Sequence, residues 1–204
     1  GYWIDNLTIQ YVTIQETIAF APAPTGPTTL MGLHLIVGAQ EEPILNLVDK
    51  LNAIGRPLGT IKGTSGTESL LNKISVKSPN TTIIYRSLNT PWGMQDCPDR
   101  SKNPTFAAQE WVYGMRPYWA NVFADYYELI NECGLNPEWL VPFSIEAMRL
   151  ANESGHCLLL FSYAPGNPEV GEFARLGPVF EYALENQCQP GRYHGIALHA
   201  YGVD

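Results

Sequence analysis

Residues 126–133 read Tyr-Tyr-Glu-Leu-Ile-Asn-Glu-Cys, an apolar and aromatic run that ends in the adjacent pair Asn131 and Glu132. Gly134 and Pro137 follow as a turn signal. Near-continuous apolar runs of this length are typical of parallel strands that are buried on both faces. A carboxylate at the carboxyl end of such a strand lies where α/β barrels carry out their chemistry. We therefore expect Glu132 to belong to an active site.

Short apolar runs of the same character alternate with longer amphipathic segments through most of the chain. This alternation predicts a parallel α/β fold with right-handed crossovers. Six strands are predicted where a closed (β/α)₈ barrel has eight. The predicted fold is therefore an α/β TIM barrel that is incomplete in this chain. The six runs are residues 32–38, 59–63, 81–86, 126–132, 157–162 and 193–199.

Two of the intervening segments carry clear helix signals. The first ends at Gly55, a helix stop, and the second begins at Pro137 and ends at Gly155. Each has apolar residues that recur on one face, which predicts packing against the sheet. These residues are Ile44, Leu47, Val48, Leu51 and Ile54 in the first segment, and Leu140, Phe143, Ala147, Met148 and Ala151 in the second.

An open doubly wound sheet also uses six strands and is the alternative fold. That fold usually has a glycine-rich phosphate loop after its first strand. Residues 37–42 here read Val-Gly-Ala-Gln-Glu-Glu, with one glycine and two acids where a phosphate would bind. Nucleotide binding is therefore disfavoured, and the barrel is the preferred prediction.

Charge and hydropathy restrict the partners of the protein. The chain has 12 Lys and Arg against 20 Asp and Glu, a net charge of −8, which disfavours nucleic acid and anionic membrane surfaces. No apolar run of about 18 residues occurs, so no membrane insertion is expected. A neutral substrate suits this composition better.

The N-terminal part of the chain differs from the remainder. Residues 1–19 form a terminal segment in which residues 2–9 alternate as a strand does, and residues 20–30 form a linker rich in Pro, Thr and Gly. The predicted domains are this terminal β segment, the linker, and a partial barrel over residues 31–204. A strand that packs on the barrel is the alternative reading of the first segment.

The four cysteines, Cys97, Cys133, Cys157 and Cys188, are far apart and form no C-x-x-C motif. This spacing argues against a zinc ribbon or a thioredoxin-like site. In an oxidising compartment they would pair in one of three ways, and otherwise they would stay as thiols. No metal or organic cofactor is expected.

Residues from Met31 onward resemble the first three quarters of a clan A glycoside hydrolase barrel of the cellulase-like kind. Residues 126–132 are similar to the aromatic-Glu-x-x-Asn-Glu run of the fourth strand in that clan, and residues 199–201 to its His-x-Tyr motif. The resemblance implies that Glu132 is the general acid/base, that Asn131 contacts the sugar 2-hydroxyl, and that His199 and Tyr201 line the cleft.

The resemblance has two further implications and one departure. It places the nucleophilic glutamate on a seventh strand, which would begin after Asp204. Residues 3–8, Trp-Ile-Asp-Asn-Leu-Thr, resemble the closing strand of a jelly-roll carbohydrate-binding module. Cys133 is the departure, because proline usually follows Asn-Glu in that clan.

Four other residues belong to the predicted strands or loops near the same rim. Arg86, Trp92 and His34 are predicted substrate contacts, with a structural role as the alternative for each. Glu128 lies about 13 Å from Glu132 along a straight strand, at roughly 3.3 Å per residue. Paired glycosidase carboxylates lie about 5 to 9.5 Å apart, so we predict a structural ion pair for Glu128.

Together these observations predict part of a retaining glycoside hydrolase that acts on a polysaccharide or oligosaccharide by acid/base catalysis. The alternative is a non-catalytic carbohydrate-binding or structural subunit of an extracellular assembly. A secreted or cell-surface location is expected. A second copy of the chain, or the remainder of a longer chain, is expected to cover the open barrel edges. The 204-residue chain alone is expected to be inactive.

Overall fold

The structure, a computed structural model, describes residues 32–93, 96–134, 136–164 and 169–199. The predicted N-terminal strand, the linker and Tyr201 lie outside the described residues. Strands and helices alternate along the described ranges, as the sequence predicts. The elements are β1 (Gly32–Leu35), α1 (Glu41–Ala53), β2 (Thr60–Thr64), α2 (Glu68–Lys77), β3 (Thr82–Arg86), α3 (Pro104–Trp119), β4 (Tyr126–Glu128), α4 (Pro137–Asn152), β5 (Leu158–Tyr163), α5 (Val170–Arg175), α6 (Gly177–Glu185) and β6 (Gly195–Leu198).

The strands form one all-parallel sheet in the order β1-β2-β3-β4-β5-β6. The sheet curls into a half-barrel, and this confirms the α/β class with parallel strands. Its sequential strand order differs from that of a doubly wound sheet, in which the chain reverses direction at a switch point. Because all six strands are parallel, their carboxyl ends lie along one end of the sheet, which we call the carboxyl edge. Within the described ranges, no helix is long and apolar enough to cross a membrane.

The core lies between the sheet and the helices. Ile61, Ile83 and Tyr85 alternate with more exposed residues on β2 and β3 and are fully buried. The predicted apolar face of α4 is confirmed, since Leu140, Phe143, Ala147, Met148 and Ala151 are all buried.

The prediction for the first helix is only partly correct. Val48 of α1 is buried, but Leu47 and Ile54 are exposed. Ile54 lies beyond Ala53, the last helical residue, and so leaves the predicted apolar face. Gly55 has a φ of 69°, the left-handed conformation with which helices commonly end. The predicted stop is therefore confirmed.

A buried histidine anchors the start of β6 to the helix layer. Nδ1 of His194 accepts a hydrogen bond from the backbone N–H of Leu158 at 3.0 Å. Nε2 therefore carries the hydrogen and donates it to Oδ1 of Asn152 at 2.7 Å. Burial lowers the pKa of His194 to about 4.

This histidine makes stability depend on pH. In the unfolded chain it takes up a proton near its ordinary pKa of about 6.5, while the folded protein resists protonation. Its contribution is complete above about pH 6.5 and is lost as the pH falls towards 4. In urea unfolding at pH 7 and pH 4.5, we expect His194→Gln to lose less stability on acidification than the wild type. An undiminished loss in His194→Gln would contradict the assignment.

Candidate functional site

Charged side chains from three strands meet at the carboxyl edge of the sheet. Nζ of Lys62, on β2, lies 2.5 Å from Oε2 of Glu128 on β4. Just after β6, His199 contacts both glutamates: its Nε2 lies 3.1 Å from Oε1 of Glu128, and its Nδ1 lies 2.7 Å from Oε1 of Glu132. We call Lys62, Glu128, Glu132 and His199 the carboxyl-edge cluster.

Glu128 is the buried anion of the cluster. Its side chain is only 1% exposed. Desolvation acts to raise its pKa, but the charge and hydrogen bond of Lys62, with smaller effects of Ser162 and Arg86, outweigh burial and leave the pKa lowered. Glu128 is therefore ionised, and the predicted ion pair is confirmed.

The separation expected for Glu128 and Glu132 along a straight strand does not apply. Strand β4 ends at Glu128, and Glu132 has a φ of 52°, so the chain leaves the extended conformation between them. Both carboxylates consequently reach the two nitrogens of one imidazole. The sequence predicts a run of strand through Glu132, and this prediction is wrong for its last four residues.

The contacts of His199 indicate where protons lie in the cluster. An ionised carboxylate only accepts hydrogen bonds, so Nε2 of His199 carries a hydrogen and donates it to Glu128. A hydrogen bond between Nδ1 and Glu132 then needs a second proton, held by one of these two groups. The contact between His199 and Glu132 is therefore a place where the cluster can hold a proton.

The backbone around Glu132 is fixed by neighbouring strands. The N–H of Glu132 donates to the carbonyl of Ser162 at 3.0 Å, and the N–H of Asn131 donates to the carbonyl of Asp96 at 3.2 Å. From α3, the indole N–H of Trp111 donates to the carbonyl of Leu129 at 2.8 Å. A positive φ is uncommon outside glycine, so these contacts hold Glu132 in a conformation it would not adopt alone.

Strand β5 carries an irregularity that the sequence analysis missed. Phe161 and Ser162 have φ values of 74° and 44°, and the pairing of β5 with β6 shifts between Leu160 and Tyr163. This β-bulge turns the Ser162 carbonyl towards Glu132 and lets the Tyr163 carbonyl accept the N–H of His199 at 2.8 Å. Bulges commonly re-aim side chains beside active sites. No glycine marks this bulge in the sequence.

Both disulfide pairings, which the sequence leaves open, are visible in the described residues. Cys97 pairs with Cys133, and Cys157 pairs with Cys188. The first joins the loop after β3 to the residue that follows Glu132. The second lies before β5, at the amino end of the sheet.

Two predicted substrate contacts lie near the cluster. Arg86, at the end of β3, forms an ion pair with Asp96. His34, on β1, is largely exposed. Partial burial lowers its pKa, Lys62 lowers it further, and Glu128 acts in the opposite direction. The charge of Arg86 also lowers the pKa of Glu128, so both residues interact electrostatically with the carboxyl-edge cluster.

Two other predicted contacts are oriented differently. Oδ1 of Asn131 is buried and has no hydrogen-bond partner among the described residues, so it is enclosed beside the site and not open to a ligand. Trp92 stacks on Trp111 with 5.3 Å between ring centroids, and 38% of it is exposed. This contact favours the alternative reading of Trp92 as a loop anchor.

A surface cavity of about 370 Å³ lies beside this aromatic pair. Its lining combines both aromatic residues with charged side chains and Cys97 of the first disulfide. The residues that line it include Trp92, Cys97, Asp99, Lys102, Glu110 and Trp111. The cavity thus reaches the disulfide that is attached to the Glu132 segment.

In the part of the chain that the structure describes, no group of three or more His, Cys, Asp or Glu side chains is arranged to hold a metal ion. The cluster offers instead an imidazole in contact with one buried and one more accessible carboxylate. Comparison with protein-family models, curated protein sequences and solved structures finds no match to this chain, so the chemistry of the site is inferred from its own geometry.

Proposed function

We propose that the protein is a retaining glycoside hydrolase in which Glu132 is the general acid/base. The observation that carries this proposal is the contact of 2.7 Å between His199 and Glu132 at the carboxyl edge of a parallel sheet. Glycoside hydrolysis requires a carboxyl group that donates a proton to the leaving oxygen. A proton held at the contact between His199 and Glu132 would serve that step.

Glu128, Lys62 and His199 would support the acid and take no direct part in bond cleavage. Glu128 is too buried to reach a sugar, and its negative charge is matched by Lys62. By accepting from Nε2 of His199, it directs the other ring nitrogen towards Glu132. His199 thereby orients the acid, while Tyr201, Arg86 and His34 are proposed to contact the substrate.

The six strands are proposed to be the first six of an eight-stranded barrel. Among the strands that the structure describes, β1 and β6 each pair on one side only. Apolar side chains lie exposed on or beside these strands: Ile36, Val37, Ile196 and Leu198 are 41 to 69% exposed. Two further βα units would pair with the open sides of β1 and β6 and would cover these side chains.

The second carboxylate of the proposed reaction is not Glu128, because that side chain is buried and paired. The resemblance to clan A barrels places the nucleophile on the seventh strand. A retaining enzyme would hold it about 5 to 5.5 Å from the acid/base. The reaction uses carboxyl groups and water, so the proposed step requires no metal or cofactor. The two disulfides support a secreted or cell-surface location.

The reaction is tested with the full-length protein and a panel of oligosaccharides and aryl glycosides. We expect turnover of at least one glycoside, and we expect the first product seen by proton NMR to have the anomeric configuration of the substrate. Retention follows from a double displacement through a glycosyl-enzyme intermediate.

Calorimetric titration with the same glycans distinguishes the alternative function. Binding of a glycan without turnover of any member of the panel would contradict the proposal and favour a non-catalytic carbohydrate-binding subunit. A first product of inverted configuration would keep the hydrolase and contradict the retaining mechanism.

A further inference from the structure

We propose that the Cys97–Cys133 disulfide positions Glu132 and makes the activity of this site depend on the thiol–disulfide state of the protein. This inference rests on the proposed function for its activity readout. The second disulfide, Cys157–Cys188, serves stability alone. The two bonds close loops of similar length, with sequence separations of 36 and 31 residues, so each is a control for the other.

The first disulfide is attached directly to the strained residue. Cys133 follows Glu132 in the chain and is buried, while Cys97 belongs to the loop after β3. Glu132 keeps its φ of 52° only while its surroundings hold it there. The disulfide fixes the chain on the carboxyl side of Glu132, and the hydrogen bond from the N–H of Glu132 to Ser162 fixes its amino side.

The other end of the disulfide is itself anchored. Asp96, which precedes Cys97, pairs with Arg86 of β3 and accepts a hydrogen bond from the N–H of Asn131. Through Cys97 and its neighbour Asp96, the disulfide therefore links the Glu132 segment to Arg86 of β3. Without it, only hydrogen bonds would join the two loops, from the N–H of Asn131 to Asp96 and from the side chain of Arg100 to the carbonyl of Gly134.

The two disulfides differ in their access to solvent. Cys97 is half-buried and lines the cavity of about 370 Å³, whereas Cys157 and Cys188 are 0% and 5% exposed. Thiol–disulfide exchange requires a thiolate to reach a sulfur atom, so access controls which bond opens first. We expect a small dithiol to reduce Cys97–Cys133 before Cys157–Cys188.

The reductive step is balanced by the dithiol. One thiolate of the reductant attacks a sulfur of Cys97–Cys133, and the S–S bond breaks to give a mixed disulfide and one free cysteine. The second thiol then displaces the other cysteine. The reductant becomes a cyclic disulfide, and the two cysteines gain two electrons and two protons. Air oxidation after removal of the dithiol reverses the change.

The test compares the double variants C97S/C133S and C157S/C188S in the full-length protein. A misplacement of about 1 Å in a catalytic group costs roughly 100-fold in rate, so we expect a loss of that order in kcat for C97S/C133S with little change in KM. C157S/C188S is expected to unfold at lower temperature and to keep the wild-type kcat below that temperature. An unchanged kcat in C97S/C133S would overturn the inference and leave the proposed function intact.

A measurement without catalysis separates the inference from the proposed function. The side-chain ¹⁵N resonances of His199 report which ring nitrogens carry hydrogen, and hence its contact with Glu132. We expect them to move in C97S/C133S and to keep their wild-type positions in C157S/C188S. If the wild type hydrolyses no glycoside, the proposed function fails, and this comparison alone decides whether the disulfide positions Glu132.

If C97S/C133S does not fold, the native protein is titrated with dithiothreitol, and mass spectrometry identifies the disulfide that has opened. Activity that falls as Cys97–Cys133 opens, and returns on reoxidation, supports the inference. Activity that persists until Cys157–Cys188 opens overturns it.

Discussion

The Glu132→Gln variant is expected to lose about 100- to 10,000-fold in kcat on an unactivated oligosaccharide, the usual contribution of a positioned general acid or base. Gln has nearly the size of Glu and keeps a hydrogen-bonding group near Nδ1 of His199, but it has no proton to give to a leaving oxygen. Steady-state hydrolysis of the best wild-type substrate measures the loss. Substrate binding is expected to remain.

Glu42→Gln is the matched control for this substitution. Glu42 is exposed in the first turn of α1, on an element that contributes no residue to the carboxyl-edge cluster. It is expected to keep wild-type kcat and stability. Equal kinetics in Glu132→Gln and Glu42→Gln would remove Glu132 from the catalytic step.

The Glu128→Gln variant is expected to lose about 3 to 5 kcal/mol of its free energy of unfolding, because breaking a buried ion pair leaves an uncompensated charge. The glutamate is almost fully buried, and its partner Lys62 is only 19% exposed. The same change removes the anion that accepts from Nε2 of His199, so the orientation of the imidazole towards Glu132 is also lost. Urea unfolding at pH 7 measures the effect.

Glu110→Gln provides a control with the same chemistry at the surface. Glu110 lies 2.6 Å from Lys102, and both side chains are about one third exposed. Solvent-exposed pairs of this kind contribute about 0 to 1 kcal/mol. A loss in Glu128→Gln no larger than that in Glu110→Gln would contradict the buried ion pair as a stabilising element of the site.

Hydrophobic periodicity predicts the elements of this fold because burial is what decides them. The apolar face of α4 is buried at every predicted position, and the six apolar runs give six parallel strands. Glu128 as an internal ion pair is predictable for the same reason, since a charge in a buried strand requires a partner. The cluster is less predictable, because Lys62 and His199 are 137 residues apart in the chain.

The local geometry that builds the site has no counterpart in the periodic pattern. Positive φ angles at Glu132, Phe161 and Ser162 are imposed by tertiary contacts on residues that do not prefer them. The choice among three disulfide pairings depends on which loops meet at each end of the sheet. Cys133 stands where the clan A barrels that the sequence resembles usually have proline, and here it bonds to Cys97.

As the general acid, Glu132 is proposed to donate a proton to the leaving oxygen. The most direct measurement is kcat/KM, which reports the glycosylation step alone, for Glu132→Gln relative to wild type on two aryl glycosides of one sugar, with a strongly acidic and a weakly acidic phenol as leaving groups. A good leaving group departs without protonation, so we predict a small loss on the first and a large loss on the second. Equal losses on both substrates would contradict the role of Glu132 as the general acid.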